Sequence, residues 1–206
     1  MISWYNIKLK LSNLVYRNIL YRLGFGRPNK RSDWEAGYKE GYWDHLESEL
    51  EDERYKVITS LAKAAKASPA ICDVGCGKGI LYQHLRQNIA AMNYLGLDIS
   101  ENAVIEARKR FPGTIFRQLD FDQEELDQKF DIIIFNESIE YFVRPLEKLN
   151  QCTAKNLLPD GIFIISMYKG HDGIWNTITP HFKILKEIDI QNEKGQRWKI
   201  KLMQPK

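Results

Sequence analysis

A short apolar run followed by three closely spaced glycines constrains the fold of this chain more than any other stretch. Residues 70–74 read as a strand that is buried on both faces. Gly75, Gly77 and Gly79 follow at alternate positions, and they allow a tight turn with close backbone approach to a ligand. Residues 80–85 then begin a helix, whose free N–H groups would point back at the glycines. A strand, a glycine turn and a helix in this order predict the nucleotide-binding corner of a doubly wound α/β domain.

The spacing of the glycines narrows the kind of nucleotide. A dinucleotide fingerprint reads G-x-G-x-x-G, whereas this turn reads G-x-G-x-G and has Asp73 two residues before its first glycine. A second strand at 94–98 ends in Asp98, about twenty residues further on, as expected for an acceptor of ribose hydroxyl groups. The run D-V-G-C-G-K-G followed by G-L-D-I-S resembles the class I S-adenosylmethionine-dependent methyltransferases, and favours them over a nicotinamide dehydrogenase. The resemblance implies S-adenosyl-L-methionine as the cofactor.

The resemblance also implies a set of cofactor contacts. In this family an acid after the third strand accepts a hydrogen bond from the adenine amino group and the next backbone N–H meets the ring, which maps onto Asp120 and Phe121. The segment before the first strand, here the aromatic-rich residues 33–46, commonly closes over the cofactor, although its aromatics could equally pack against the sheet. Tyr38 and Tyr42 are the tyrosines expected to reach the cofactor from this lid. The expected contacts are Tyr38, Tyr42, Asp73, Gly75, Cys76, Gly77, Gly79, Asp98, Ile99, Asp120, Phe121 and Asn136.

The rest of the chain predicts alternating strands and helices, with Ser100 as the N-cap of one helix. Expected helices cover 47–66, 101–110 and 144–157. Further strands are expected at 114–118, 130–135 and 162–167, with a turn at 158–161, a short polar connection at 168–180, and a hairpin of strands 182–190 and 196–203. The predicted fold is a doubly wound, mostly parallel seven-stranded sheet with a C-terminal antiparallel hairpin, as in Rossmann-like methyltransferases.

Methyl transfer from a sulfonium depends mainly on alignment of the reacting groups. A general base is needed only when the accepting atom carries a proton that must leave. The candidate bases are Glu137, Glu140, Tyr141, His45 and His171. Each also has a structural interpretation: an acid at a helix start offsets the dipole, the tyrosine would pack on the sheet, and the histidines would lie on the surface.

Two absences narrow the acceptor. Residues 136–139 read N-E-S-I, where enzymes that methylate exocyclic amino groups of bases carry an Asn-Pro-Pro-aromatic motif. The sequence also lacks the acid cluster of magnesium-dependent O-methyltransferases, so no metal is expected. Three cysteines, Cys72, Cys76 and Cys152, form no disulfide framework, which indicates a reducing, cytoplasmic compartment.

The charge distribution separates the first residues from the rest. Residues 1–31 contain seven basic side chains and no acid, whereas the remainder carries 23 basic and 27 acidic ones. We therefore predict a basic amphipathic extension, 1–31, and a methyltransferase domain, 32–206, with its lid at 33–46. Residues 2–23 have three interpretations, which are a helix docked on its own domain or on a second subunit in a homodimer, a peripheral membrane anchor, or a cleavable targeting peptide.

The sequence thus predicts O- or N-methylation of a small or medium-sized acceptor, such as a sugar or natural-product intermediate. One alternative is an RNA or protein methyltransferase that uses the basic extension. Nucleic acid is the less favoured partner because the acidic remainder has no continuous phosphate-binding face. The other alternative is a protein that binds the cofactor without catalysis.

Overall fold

The computed structural model describes residues 19–206. The amphipathic pattern predicted for 2–23 lies almost entirely outside the described residues and stays a prediction. The α-helices of the described part are α1 (Arg31–Lys39), α2 (Glu49–Ala65), α3 (Ile80–Asn88), α4 (Glu101–Arg110), α5 (Pro145–Lys155) and α6 (Asp172–Ile178). Its strands are β1 (Ala70–Val74), β2 (Asn93–Asp98), β3 (Ile115–Gln118), β4 (Phe130–Asn136), β5 (Leu157–Tyr168), β6 (Phe182–Gln191) and β7 (Arg197–Pro205). Short 3-10 helices cover Tyr21–Leu23, Asp44–Glu47, Ile139–Tyr141 and Thr179–His181.

The seven strands form one sheet in the order β3-β2-β1-β4-β5-β7-β6. The first five are parallel, while β7 runs antiparallel to both β5 and β6. The predicted fold class is therefore confirmed. The strand order reverses between β1 and β4, and open α/β sheets bind ligands in the crevice outside the carboxyl ends of the strands at such a point.

The middle of the sheet is buried on both faces because β4 carries apolar side chains at successive positions. Ile133 and Phe135 pack into the hydrophobic cluster on one face, and Ile132 and Ile134 pack into the cluster on the other. Successive side chains of a strand point to opposite faces, so this pattern needs helices on both sides. The rigid centre fixes where the loops after β1 and β4 emerge.

The predicted turn at 158–161 lies inside β5. Leu157 already pairs with Phe130, and the register then shifts so that Ile162 pairs with Ile132. Asp160 takes a positive φ of 63° in this irregular stretch. The prediction placed the strand start too late because the Pro-Asp-Gly sequence, typical of a turn, here forms a local irregularity within the strand pairing.

The predicted polar connection at 168–180 contains helix α6. Its Ile174, Trp175 and Ile178 are buried in the core. These residues have the i, i+1, i+4 spacing of one helical face, and this short apolar pattern was obscured by the polar and glycine residues around it.

Residues 24–27 run along the loop that follows β4. The N–H groups of Gly26 and Arg27 donate hydrogen bonds to the carbonyl oxygens of Val143 and Glu140, over 3.3 and 2.7 Å. The end of the predicted extension thus contacts the α/β body. None of the helices in the described part has the length and apolar character needed to cross a bilayer.

Candidate functional site

A cavity of about 340 Å³ opens at the switch point of the sheet. Its volume lies in the range of small-molecule sites. The loops after β1, β2, β3 and β4 line it, together with α1 and the residues around it. The predicted residues that line this cavity are Tyr38, Asp73, Gly75, Cys76, Gly77, Asp98, Ile99, Asp120, Phe121, Asn136, Glu137 and Tyr141.

Asp98 lies at the carboxyl end of β2 and is buried. Its Oδ2 accepts a hydrogen bond from Gly77 N over 2.8 Å, and its Oδ1 accepts one from Ser100 N over 2.9 Å. Burial raises the pKa of this carboxyl group to about 6, although the two backbone donors act in the opposite direction. The backbone therefore orients the carboxylate, and each oxygen keeps lone-pair capacity for a ligand hydroxyl.

Asp73 is a second buried acid on the cavity wall. Its Oδ2 accepts a hydrogen bond from the Tyr94 hydroxyl over 2.7 Å, while its Oδ1 is buried without a hydrogen-bond partner. Burial raises the pKa of this carboxyl group to about 7, against the lowering effect of the Tyr94 hydrogen bond. An unpartnered buried oxygen is costly unless a ligand donor reaches it. The ammonium group of a bound amino-acid moiety has the right chemistry.

The glycine turn forms the floor of the cavity, and neighbouring side chains approach its backbone closely. A Cβ at Gly75 would lie 2.6 Å from Ser138 Cβ, and one at Gly77 would lie 2.9 Å from the Tyr38 hydroxyl oxygen. The N–H groups of Gly75 and Cys76 donate to the Leu97 carbonyl over 2.7 and 2.9 Å. Since Asp98 takes the Gly77 N–H, these three donors are already used within the protein, and the turn provides space more than free donors.

The loop after β4 forms the opposite wall. Asn136 Oδ1 accepts a hydrogen bond from Ser166 Oγ over 2.7 Å, and Glu137 N donates to the Ser166 carbonyl over 3.0 Å. The Ser138 hydroxyl donates to the Val74 carbonyl over 2.6 Å and so ties this loop to the end of β1. Glu137 itself takes a left-handed φ of 54°.

Helix α1 is fastened across the cavity by Glu35. The Glu35 carboxylate accepts hydrogen bonds from Ser100 Oγ (2.8 Å), Glu101 N (2.7 Å) and Asn102 N (3.1 Å). It thereby satisfies N–H groups at the start of α4, where Ser100 is the N-cap as predicted, its Oγ accepting from Ala103 N. Partial burial would raise the pKa of Glu35, but these hydrogen bonds lower it further than burial raises it.

Aromatic rings of the 33–46 segment line the cavity beside the loop after β4. Trp34 stacks on Trp43 with ring centroids 5.1 Å apart, and meets Tyr141 edge to face at 4.8 Å. All three rings belong to the cavity lining. Tyr42 is 67% exposed and packs edge-on against Trp43 from outside. Of the two predicted lid tyrosines, only Tyr38 reaches the cavity.

Asp120 and Phe121 contribute the wall after β3. Asp120 N donates to Glu124 Oε1, and Asp120 Oδ1 accepts from Asp122 N over 3.2 Å. The Phe121 ring is buried, with the Lys148 ammonium 4.8 Å from its centroid. Asp122 Oδ2 accepts a hydrogen bond from Val143 N and so connects two cavity loops.

Several predicted residues lie away from the cavity lining. A Cβ on Gly79 would meet the Phe111 and Phe116 rings at 2.9–3.2 Å, so this glycine packs α3 onto the sheet. Glu140 is buried behind the wall, and burial together with the charge of Glu137 raises its pKa well above the usual range. His45 and His171 place their Nδ1 atoms 2.9 Å from the carbonyls three residues earlier, outside the cavity lining.

Arg54 is a cavity residue that the sequence reading missed. It is buried on α2, and its Nη1 and Nη2 lie 2.8 Å from carboxylate oxygens of Glu137 and Glu51 respectively. Glu51 and Arg54 have the i, i+3 spacing of a helical ion pair, which was the available signal. Glu35 has the i, i+4 spacing to Arg31, but its hydrogen-bond partners at the start of α4 are 65 to 67 residues away in the chain, so its role there had no local signal.

We predict that binding of an adenosyl ligand at this site weakens in acid. Asp73 and Asp98 would act as carboxylates, and their raised pKa values, about 7 and about 6, mean that both are protonated at pH 5. Below pH 6 the affinity for S-adenosylhomocysteine should fall about tenfold per pH unit for each proton that must leave.

Stability of the free chain should change in the opposite direction. Because both folded pKa values lie above the unfolded ones, the contribution of these acids to folding stability is largest below about pH 4 and is lost as pH rises to about 7.

Calorimetry at pH 5 to 8, with circular dichroism to confirm folding, measures the affinity for S-adenosylhomocysteine. An affinity that stays constant across this range would contradict the assignment.

The chain matches known proteins over most of its described length. A family model described as "Methyltransferase domain" matches residues 65–201. The trans-aconitate 2-methyltransferase of Acidovorax ebreus is 29% identical over 156 residues, which cover 73% of this chain and 57% of that protein. The malonyl-[acyl-carrier protein] O-methyltransferase of Bacillus anthracis is 26% identical over 139 residues, covering 66% and 51%. This chain thus spans about half the length of the curated relatives it matches.

A solved structure agrees with the fold. The N-methyltransferase NodS of Bradyrhizobium japonicum, in complex with S-adenosylhomocysteine, superposes with a TM-score of 0.69 at 13% identity, covering 83% of this chain and 97% of that one. The sheet order and the switch-point cavity define a doubly wound α/β protein of the nucleoside-binding type. The chain belongs to the methyltransferase domain family, within the class I S-adenosylmethionine-dependent methyltransferases.

Proposed function

We propose that this chain moves a methyl group from S-adenosylmethionine to an oxygen or nitrogen atom of a small or medium-sized acceptor. The observation that carries the proposal is the cavity itself, which joins the buried acids Asp73 and Asp98 to the aromatic and acidic wall after β4. Names among the relatives include both O-methyltransferases and an N,N-dimethyltransferase, which supports these acceptor atoms at the level of the family.

The cavity residues fit the parts of the cofactor. Asp98 would accept hydrogen bonds from the ribose hydroxyls, Asp73 would face the ammonium group with its unpartnered Oδ1, and the loop of Asp120 and Phe121 would hold the adenine. When bound, S-adenosylmethionine supplies an electrophilic methyl group on a sulfonium. The protein's task is then to exclude water and to orient the acceptor, which can contribute about 7–11 kcal/mol.

The acceptor end is proposed to lie at Trp34, Tyr141 and Glu137. Glu137 is the proposed general base because it lines the cavity, whereas Glu140, His45 and His171 do not. Burial raises the pKa of Tyr141, and the charges of Glu140 and Glu137 raise it further. Tyr141 therefore stays a phenol at neutral pH and is suited to positioning the acceptor, not to removing a proton from it.

The experiment is a search for the acceptor with isotope-labelled methyl donor. Pure protein is incubated with S-adenosyl-L-[methyl-³H]methionine and pooled small-molecule extracts, and products that gain one labelled methyl group are identified by mass spectrometry. We expect at least one labelled small molecule that is absent when Asp98→Ala replaces the unchanged chain. Label that appears only in RNA or protein would contradict the proposal.

We further propose that residues 33–46 act as the lid of this site and that the predicted extension, residues 1–31, docks on the α/β body through its described end, where Gly26 and Arg27 bind the loop after β4. The lid is fastened to the body at Glu35 and by the ion pair of Asp44 with Lys78, and Glu47, directly after the lid, pairs with Arg110. These contacts support closure of the segment over the cavity.

Replacing Glu35 by glutamine should loosen this lid. The amide loses the charge that binds the start of α4 and one of its acceptor oxygens, so we expect affinity for S-adenosylhomocysteine to fall about 5–30-fold, equivalent to about 1–2 kcal/mol. Protease cleavage after Lys39 should accelerate. Glu49→Gln at the exposed start of α2 is the matched control and should change neither reading. Unchanged affinity and an unchanged cleavage rate in Glu35→Gln would show that Glu35 does not fasten the lid.

A further inference from the structure

The acceptor wall, formed by Trp34, Trp43, Tyr141 and Glu137, combines aromatic faces with a carboxylate. Trp34, Trp43 and Tyr141 form a contiguous ring cluster on the cavity lining. Glu137 lines the same cavity and lies four residues before Tyr141 on the loop after β4. Faces of tryptophan and tyrosine attract cations, most strongly where water is excluded. Such a wall is built for a positively charged group.

Two carboxylates, those of Glu51 and Glu137, meet one guanidinium, that of Arg54, at this wall. Arg54 is shared between Glu51 and Glu137, at 2.8 Å from each. Glu137 pairs through Oε2 only, and its Oε1 is buried without a hydrogen-bond partner. Glu140 lies outside the cavity lining, and its raised pKa keeps it protonated and neutral. The surplus of negative charge therefore comes from Glu51 and Glu137, which share one guanidinium, and the unsatisfied acceptor is Glu137 Oε1.

The backbone conformation at Glu137 is energetically unfavourable. Its φ of 54° is in the left-handed region, where a side chain such as glutamate costs about 1–3 kcal/mol. The only other non-glycine residue with positive φ in the described part is Asp160, inside the irregular stretch of β5. The Glu137 N–H to Ser166 bond fixes this conformation. Strain at a cavity residue is consistent with a positioned functional group.

The charge of Arg27, outside the cavity lining, lowers the pKa of Tyr141, but less than the charges of Glu140 and Glu137 raise it, and the other cations of the lining are paired elsewhere or exposed. Arg31 lies 3.6 Å from a Glu35 oxygen and 4.0 Å from a Glu101 oxygen, and Lys78 pairs with Asp44. Lys30 is exposed at the outer edge. A carboxylate acceptor placed beside Glu137 would therefore meet a like charge and a guanidinium already occupied by two acids, which disfavours its binding.

From this wall we infer that the acceptor is an amine, bound as its ammonium between the aromatic cluster and Glu137. The inference rests on the proposed methyltransferase function. Glu137 takes one proton from the bound ammonium, and the nitrogen lone pair then forms the bond to the methyl carbon. The carbon–sulfur bond breaks with its electron pair left on sulfur. The product is a methylammonium ion, so the positive charge passes from sulfur to nitrogen.

The test compares three ligands that share one ring and differ in charge: benzylamine, benzyl alcohol and benzoate. Each is titrated at pH 7.5 into the chain saturated with S-adenosylhomocysteine, whose own binding is measured first. We expect benzylammonium to bind at least about tenfold tighter than benzoate, with benzyl alcohol between them. Equal or tighter binding of benzoate, or no detectable binding of benzylamine, overturns the inference. Failure of S-adenosylhomocysteine to bind would instead overturn the proposed function.

The variant Glu137→Gln tests whether Glu137 causes the preference for benzylammonium over benzoate. In the folded variant loaded with S-adenosylhomocysteine, most of the roughly tenfold preference for benzylammonium over benzoate should be lost. Glu147→Gln, an exposed acid on α5, is the matched control and should keep the preference. A folded Glu137→Gln chain that retains the full preference contradicts the role of Glu137. If loss of the Arg54 partner unfolds the variant, the three-ligand comparison on the unchanged chain decides the inference by itself.

Discussion

Replacement of Asp98 by alanine is expected to lower the affinity for S-adenosylhomocysteine by about 100-fold or more. Two ribose hydroxyls would lose a charged acceptor, and hydrogen bonds to charged groups contribute about 1.5–3 kcal/mol each. The free chain should stay folded, because burial already raises the pKa of Asp98 and makes its charged form costly at neutral pH. Calorimetry measures the affinity, and thermal unfolding of the free variant measures its stability.

The control for Asp98→Ala is Glu106→Ala on α4. This variant removes the same charge from a half-exposed acid whose ion pair is with Lys109. We expect its affinity for S-adenosylhomocysteine to be unchanged. Equal affinities of the two variants, with both folded, would show that Asp98 does not hold the ligand.

Gly75→Ala is expected to destabilise the chain and to reduce methyl transfer strongly. At φ 80° a side chain costs about 1–2 kcal/mol. The new Cβ would also lie 2.6 Å from Ser138 Cβ, and overpacking of this kind costs about 1–3 kcal/mol. Displacement of the loop after β4 should reduce turnover by about 100-fold, since small misplacements of reacting groups have effects of that size. Denaturant unfolding and single-turnover transfer measure the two effects.

Gly113→Ala separates backbone strain from the steric effect. Gly113 has a φ of 85°, but a Cβ there would meet no atom within 4 Å. We expect only the strain of about 1–2 kcal/mol and unchanged ligand affinity. If Gly113→Ala and Gly75→Ala lose the same stability and the same activity, the contact between Gly75 and Ser138 has no role in shaping the site.

The corner around Asp98 could be predicted from the sequence because its determinants are local. A buried strand, a glycine turn and an acid at the end of the next strand are each legible within a few residues, and parallel pairing of β1 with β2 brings them together. Ser100 could be predicted as an N-cap for the same reason, because its side chain accepts a hydrogen bond from a residue only three positions further along the chain. These features reflect backbone geometry that few other residue types allow.

The acceptor wall could not be predicted in the same way. Whether Glu137 or Glu140 faces the cavity depends on the left-handed backbone at Glu137 and on its pairing with Arg54, which comes from a helix more than eighty residues earlier in the chain. Glu35 likewise acts through contacts with the start of α4. Both Tyr38 and Tyr42 were expected to reach the cofactor, yet the end of α1 at Lys39 separates them. Long-range contacts and helix ends decided these positions.

The central claim is that the switch-point cavity binds the adenosyl methyl donor through Asp73 and Asp98. Titration calorimetry of the pure, folded chain with S-adenosylhomocysteine at pH 7.5 tests it most directly. We expect saturable heat with one site per chain, competition by S-adenosylmethionine, and loss of the signal in Asp98→Ala. A folded chain that gives no binding heat with either compound would contradict it.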